Sequence, residues 1–89
     1  MSSTIASVCA AAMDKEGVVG VLCVDEEGLR LHSAGEVPEA TAGAVAAMAT
    51  HGRALVGPDA VVTVESPQGK ALLSRCEGAV LAIFMQPKA

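Results

Sequence analysis

The run VVGVLCV at residues 18–24 constrains the fold of this chain more than any other stretch. Seven consecutive residues carry no polar side chain, and most of them are β-branched valines. Valine favours strands. A strand without a polar face is typical of one that is covered on both sides. The sequence therefore predicts a central strand over residues 18–24.

The next segment completes a hairpin. The acidic stretch DEEG supplies the turn, in which Gly28 is free to adopt a positive φ. Side chains then alternate with the period of two that a strand requires. This period predicts a second strand with one drier face, on which we expect Leu29, Leu31 and Ser33, while Arg30, His32 and Ala34 occupy the other face.

Two segments have the pattern of helices. Near the start of the chain, Ser2, Ser3 and Thr4 can cap a helix, and its apolar face follows at helical spacing: Ile5, Val8, Cys9 and Ala12. A longer helix is predicted over roughly residues 38–56. Pro38 and Glu39 suit its first turn, and the Gly57-Pro58 pair ends it.

Three more strands are predicted over residues 60–66, 70–76 and 79–86. Their turns, PQG and EG, are too short for anything but antiparallel neighbours. The predicted order is α-β-β-α-β-β-β, in one domain over residues 1–89. We expect an α+β fold, an α/β sandwich in which helices pack on an antiparallel sheet.

The long helix has almost no charged side chains. At about 100° per residue, the side expected to pack on the sheet carries Val45, Met48, Leu55 and Val56, with Thr41 and Gly52 among them. The opposite side carries small residues, with Arg53 as the only charge: Gly43, Ala46, Ala47, Thr50 and Ala54. Alanine is simply the best helix former, but that preference does not explain the missing charges. This ridge of small residues predicts close contact with another helix.

The strand that follows this helix points to the same neighbour. If it lies at a sheet edge, its VVTV segment favours aggregation unless another strand covers it. Helix and strand together predict a dimer whose sheet continues through the partner, with His51 making a polar contact. The predicted partner interface comprises Gly43, Ala46, Ala47, Thr50, His51, Ala54, Val62, Thr63 and Val64.

Composition supports a protein partner over other ligands. Hydrophobic residues make up 52% of only 89 residues, and so small a domain has little interior in which to bury them. The apolar runs at 18–24 and 79–85 are shorter than the ~18–20 residues of a bilayer helix, so we expect no direct membrane insertion. With a net charge of -4 and Phe84 as the only aromatic residue, nucleic acid is not an expected ligand.

No residue pattern predicts catalysis, a metal site or a cofactor. Cys9, Cys23 and Cys76 lack the spacing of zinc ligands, and we expect them to be reduced, buried thiols of a cytoplasmic protein. The stretch SPQGKA lacks the glycine and hydroxyl residues of a phosphate-binding loop. His32 and Ser33 are adjacent on a strand and point to opposite faces. The acids of the DEEG turn are expected to be solvated, and the chain is not expected to be an enzyme.

The order of elements and four segments resemble the roadblock superfamily. Within it, the chain resembles Ragulator subunits of the hepatitis B X-interacting protein type. The segments are VVGVLCVDEEGLRLHSAG, AGAVAAMA, PDAVVTVES and EGAVLAIFMQ, and the resemblance extends over about residues 14–86. It implies a roadblock fold with a five-stranded antiparallel sheet. It also implies pairing through the second helix and third strand.

The resemblance also implies a cellular role. Such a subunit forms a heterodimer with a different roadblock subunit, inside a larger assembly held by a lipid-anchored wrapping subunit. The assembly acts as a scaffold on the lysosomal surface. It anchors Rag GTPases and supports amino-acid-dependent activation of the target-of-rapamycin (TOR) kinase complex. The alternative is a homodimeric roadblock protein that regulates a small GTPase or serves as a dynein light chain.

Overall fold

Two helices and five strands form the fold, in a computed structural model that describes residues 2–38, 41–76 and 78–87. In chain order they are α1 (Ser2–Met13), β1 (Val18–Val24), β2 (Arg30–Gly35), α2 (Ala42–Val56), β3 (Val62–Ser66), β4 (Gly69–Cys76) and β5 (Ala79–Met85). The strands make one antiparallel sheet in the order β2-β1-β5-β4-β3. The predicted α+β fold and element order are confirmed, and β3 lies at an edge of the sheet.

The two helices cover opposite faces of the sheet. Alternate residues of β1 point to opposite sides, so Val21 and Cys23 pack with α1 while Leu22 and Val24 pack with α2. The predicted apolar face of α1 is confirmed, with Cys9 and Ala12 buried. β1 is therefore covered on both sides, as its unbroken apolar run predicts.

The start of α2 differs from the prediction. The helix begins at Ala42 rather than near residue 38. The hydroxyl of Thr41, the residue just before the helix, donates a hydrogen bond to the carbonyl oxygen of Pro38 at 2.9 Å. Glu39, proposed for the first helical turn, lies outside the described residues, as do the side chains of Ser2, Ser3 and Thr4 proposed as caps.

The drier face predicted for β2 is wrong. Leu29 and Leu31 are 64% and 43% exposed, whereas His32 and Ala34 are half-buried. The reason is that His32 pairs with Cys23 and shares the face on which α1 packs. α2 packs on β1, β5, β4 and β3, so the Leu31 face of this edge strand lies beyond the helix.

The side of α2 that packs on the sheet also differs from the prediction. The buried residues are Val45, Ala46 and Gly52, whereas Met48 is 39% exposed and Leu55 and Val56 are more exposed still. Small residues lie beneath the helix because they let it approach the sheet closely. The large apolar side chains are displaced outward, where this chain alone does not cover them.

Replacing Gly52 tests how closely α2 packs on the sheet. A Cβ at Gly52 would lie 2.5 Å from Cγ2 of Val62, and Val62 has little rotamer freedom to move away. We expect Gly52→Ala to lower the free energy of unfolding by ~1–2 kcal/mol in urea denaturation. Gly43→Ala is the control, since its Cβ would meet nothing within 4 Å. Adding Val62→Ala to Gly52→Ala should cost less than the two changes summed, and strict additivity would contradict the contact.

Candidate interaction surface

α2 crosses the sheet from the β1–β2 hairpin to the edge strand β3. Near its start, a Cβ at Gly28 of the hairpin would lie 3.4 Å from the Cα of Gly43. Near its end, Gly52 lies against Val62 of β3. The last turn of the helix, with Leu55 82% exposed, therefore reaches the border of the sheet.

One flank of α2 is next to charged groups. The Glu26 carboxylate forms an ion pair with Arg75 of β4 and lies 3.8 Å from the Arg53 guanidinium of α2. These groups lie along one flank of the helix, beside Ala46 and Thr50. All three are partly exposed, so the pairs contribute at most about 1 kcal/mol each. This flank of α2 is therefore polar, because it carries charged and hydrogen-bonding groups.

The DEEG turn is more ordered than its acidic sequence predicts. The Asp25 carboxylate accepts hydrogen bonds from the backbone N–H groups of Glu27, at 2.9 Å, and Leu29, at 2.8 Å. Gly28 adopts a φ of 93°, as predicted. This turn aims Glu26 at the two arginines. No sequence signal could reveal that, because the three residues are far apart in the chain.

The opposite flank of α2 is mostly apolar. Met48 and Leu55 lie about 140–160° around the helix from Thr50, at ~100° per residue. Ala44 and His51 lie next to them, and all four are exposed. This flank faces the end of the sheet at Lys70 and Met85, because the charged flank faces the other end, at Arg75 and Val80.

The edge strand β3 continues this apolar surface. It pairs with β4 on one side, and on the other it borders no strand of the described chain. Val64 is 44% exposed and shares its face of the sheet with Val62, which packs under α2. Val61, just before the strand, is 62% exposed. Together with the Met48–Leu55 flank, this edge is the candidate interaction surface.

A groove of about 700 Å³ adjoins that surface. It lies on the α2 face of the sheet, over the half that the helix leaves uncovered. Val64, Ala71 and Phe84 are on its floor, and the segment Glu36–Pro38 and the β3–β4 turn border it. The polar groups at its margin include Lys70 and Gln68.

The structure brings most of the predicted interface residues to the surface, although not on one face. Exposed are Gly43, Ala47, Thr50, His51, Ala54, Thr63 and Val64, while Val62 is half-buried. The placement of Ala46 on the outer side is wrong: it is 6% exposed and belongs to the core under α2. Met48 and Leu55, which the sequence assigns to the core, are on the surface instead. The angular spacing of side chains along a helix does not by itself fix which side of the helix faces the sheet.

The three cysteines cluster on the α1 face. Cys9 and Cys23 are buried and free, and Cys76 is half-buried and free. Burial raises the pKa of the Cys9 thiol, and the nearby Cys76 adds to the effect. Burial, with smaller contributions from Cys9 and Cys76, raises the pKa of Cys23 as well. A thiol that resists ionisation is a poor nucleophile.

These raised pKa values predict a loss of stability at high pH. In the unfolded chain the thiols ionise near their ordinary value of 9.0, whereas the folded chain keeps them protonated to higher pH. The free energy of unfolding should therefore be unaffected by them below that value and fall as pH rises above it. Urea denaturation of wild type and of a Cys9→Ala, Cys23→Ala variant between about pH 8 and pH 10 tests this. Equal pH slopes for the two would contradict it.

Neither metal binding nor membrane spanning finds support in the part of the chain that the structure describes. No group of three or more potential ligands among histidine, cysteine, aspartate and glutamate comes together there. None of the described helices is long and apolar enough to cross a bilayer.

Comparison with known sequences decides the family. Residues 1–85 match the sequence model of the Ragulator complex protein LAMTOR5. The chain belongs to this family. A LAMTOR5 homolog of the Ragulator complex from Ixodes scapularis is 36% identical over 76 residues, which cover 81% of this chain and 82% of that protein. A second, from Nematostella vectensis, is 35% identical over 79 residues, which cover 84% and 86%.

Solved structures confirm the roadblock fold of this LAMTOR5 family member. The gliding protein MglB from Thermus thermophilus superimposes with a TM-score of 0.77 at 18% identity, covering 94% of this chain and 72% of MglB. A Roadblock/LC7 domain from Streptomyces avermitilis gives a TM-score of 0.66 at 17% identity, covering 92% and 78%. Because these identities are low, the likeness concerns the fold alone.

Proposed function

We propose that this chain is a non-catalytic scaffold subunit of a Ragulator-like complex. It pairs with a different roadblock subunit, and the pair helps to anchor Rag GTPases at the lysosomal surface. There the assembly supports amino-acid-dependent activation of the TOR kinase complex. Membership of the LAMTOR5 family, over nearly the whole chain, is the observation that carries the proposal.

The unpaired surface of α2 and β3 supports the pairing. Met48, Leu55 and Val64 are large, apolar and exposed, and they lie beside an edge of β3 that pairs with no other strand of the described residues. Their exposure leaves an apolar area uncovered in the lone chain, and such areas mark interaction sites. A roadblock partner offers both a helix and an edge strand, so it would cover both parts at once.

We expect no catalytic role because the thiols and the acids of the DEEG turn are poorly placed for chemistry. The buried thiols of Cys9 and Cys23 have raised pKa values, so they are poor nucleophiles. Asp25 is occupied by backbone N–H groups, and Glu26 by two arginines. Attachment to a membrane in this proposal comes from a lipid-anchored wrapping subunit of the same assembly.

Replacement of the endogenous chain in cells tests the proposal. Tagged wild-type protein should capture a roadblock subunit, the lipid-anchored subunit and Rag GTPases. Loss of the chain should abolish TOR kinase activation on amino-acid refeeding, and wild type should restore it. Leu29→Glu, on the far edge of the sheet, should also restore it, whereas Met48→Glu should not. Normal amino-acid-dependent activation without the chain would refute the role, and capture without a roadblock subunit would refute the pairing.

A further inference from the structure

Two buried thiols on the α1 face of the sheet take no part in the proposed pairing. We infer that Cys9 and Cys23 form a redox-active pair, which small disulfides of the glutathione type oxidise to a disulfide bridge between α1 and β1. The corresponding thiol reduces the bridge again. The proposed scaffold role neither requires nor supplies this reaction, because the pair lies on the face of the sheet opposite α2.

The fold brings these two thiols into one buried cluster. Cys9 is on the apolar face of α1, and Cys23 is on the face of β1 that α1 covers. Their exposed fractions are 0% and 2%, so both side chains lie in the contact between helix and strand. Burial is the main cause of the raised pKa of Cys23, and Cys9 contributes more to it than Cys76 does. Cys9 is therefore the nearer thiol.

Cys76 is less well placed for such a bridge. It is on β4, and β5 lies between β4 and β1. Neighbouring strands are ~4.8 Å apart, so the Cα atoms of Cys76 and Cys23 are separated by about two such spacings, which exceeds the ~7 Å that a disulfide can span. α1 packs on β1 and β2, away from β4. Cys76 therefore serves as an internal control.

The bridge would strengthen a helix that apolar contact alone holds on the sheet. Among the described residues, no side-chain hydrogen bond or ion pair joins α1 to a strand. The helix has 12 residues, and isolated helices of fewer than ~12–15 residues are only marginally stable in water. Local detachment of α1 is therefore the expected route by which solvent reaches both thiols.

The reaction consists of two thiol–disulfide exchanges. While α1 is detached, the thiolate of one cysteine attacks a sulfur of oxidised glutathione, so that a protein–glutathione disulfide forms and one glutathione thiolate leaves. When α1 packs again, the other cysteine attacks the protein sulfur of that disulfide, which forms the Cys9–Cys23 bond and releases the second glutathione. The protein loses two electrons, oxidised glutathione gains them, and the two thiol protons pass to the released glutathione thiolates.

Equilibration of the full chain in mixtures of reduced and oxidised glutathione tests the inference. The three cysteines lie in different tryptic peptides, residues 1–15, 16–30 and 76–88, so mass spectrometry of alkylated digests identifies the bridge. The measurement is made in native buffer and in concentrated urea, from both reduced and oxidised starting protein. Because the fold holds the pair together, we expect the equilibrium constant for the bridge to be at least about tenfold higher in native buffer. By linkage, the oxidised chain should unfold at a higher urea concentration.

Single alanine variants identify the members of the pair. Cys9→Ala and Cys23→Ala should abolish the bridge, whereas Cys76→Ala should keep both the bridge and its preference for native buffer. An equilibrium constant that is equal or lower in native buffer than in urea would overturn the inference, because the fold would then not favour the bridge. A bridge to Cys76 as the main native product would overturn it as well. The wild-type comparison decides the matter even if a variant does not fold.

Discussion

Gly20→Ala should lower the melting temperature by about 12–24 °C. A Cβ at Gly20 would fall within 3.1 Å of the carbonyl oxygen, carbonyl carbon and amide nitrogen of Glu36. These are backbone atoms. They cannot turn aside as a side chain can, and the Glu36 N–H already donates to the Val19 oxygen at 2.8 Å. A cost of roughly 3 kcal/mol or more corresponds to that shift in a domain of this size.

Calorimetry with a matched variant tests this expectation. Gly43→Ala adds the same methyl group where it meets nothing within 4 Å. Because alanine has the higher helix propensity, it should leave the melting temperature unchanged or raise it. If Gly20→Ala melts within a few degrees of wild type, the exit from β2 must be able to move away from β1, and the geometry described here is wrong.

The order and identity of the elements could be predicted because each has a strong local pattern. The all-apolar run of β1, the DEEG turn and the short turns of the last three strands need no tertiary information. Boundaries that depend on tertiary contacts were less predictable. The start of α2 is an example: the helix begins at Ala42 rather than near residue 38.

The rotation of α2 could not be predicted from its composition. The helix has two apolar sides, one with small side chains and one with large side chains. The usual expectation is that the large side chains pack in the core. The structure places Ala46 and Gly52 inside instead, because Gly52 lies directly against Val62. The neighbour of Gly52 is ten positions further along the chain and in another element. Only the packed structure therefore identifies Met48 and Leu55 as surface residues.

The rotation matters for function, because it separates two candidate faces for pairing. The ridge predicted from the sequence includes Gly43, Ala47 and Ala54, which face outward and toward the charged flank. The Met48–Leu55 flank faces the groove and the free edge of β3. A partner that extends the sheet beyond β3 would meet the Met48–Leu55 flank before the small-residue ridge, because that flank adjoins the edge of β3.

Met48→Glu should therefore weaken pairing by two orders of magnitude or more. In the lone chain Met48 is 39% exposed, so a glutamate can remain solvated and the fold should survive. In the pair, the carboxylate would be buried without a partner, at a cost of several kcal/mol after relaxation. Each ~1.4 kcal/mol is a factor of ten in affinity. Titration against the roadblock subunit captured in cells, with circular dichroism to check folding, measures the effect.

Ala47→Glu is the control that decides between the faces. It introduces the same side chain at the next position, about 100° further around the helix, on an exposed part of the outward ridge. If the Met48–Leu55 flank forms the contact, Ala47→Glu faces solvent and costs only a few tenths of a kcal/mol in helix propensity, so affinity stays near wild type. If instead Ala47→Glu abolishes pairing and Met48→Glu does not, the partner helix lies on the small-residue ridge and not on the Met48–Leu55 flank.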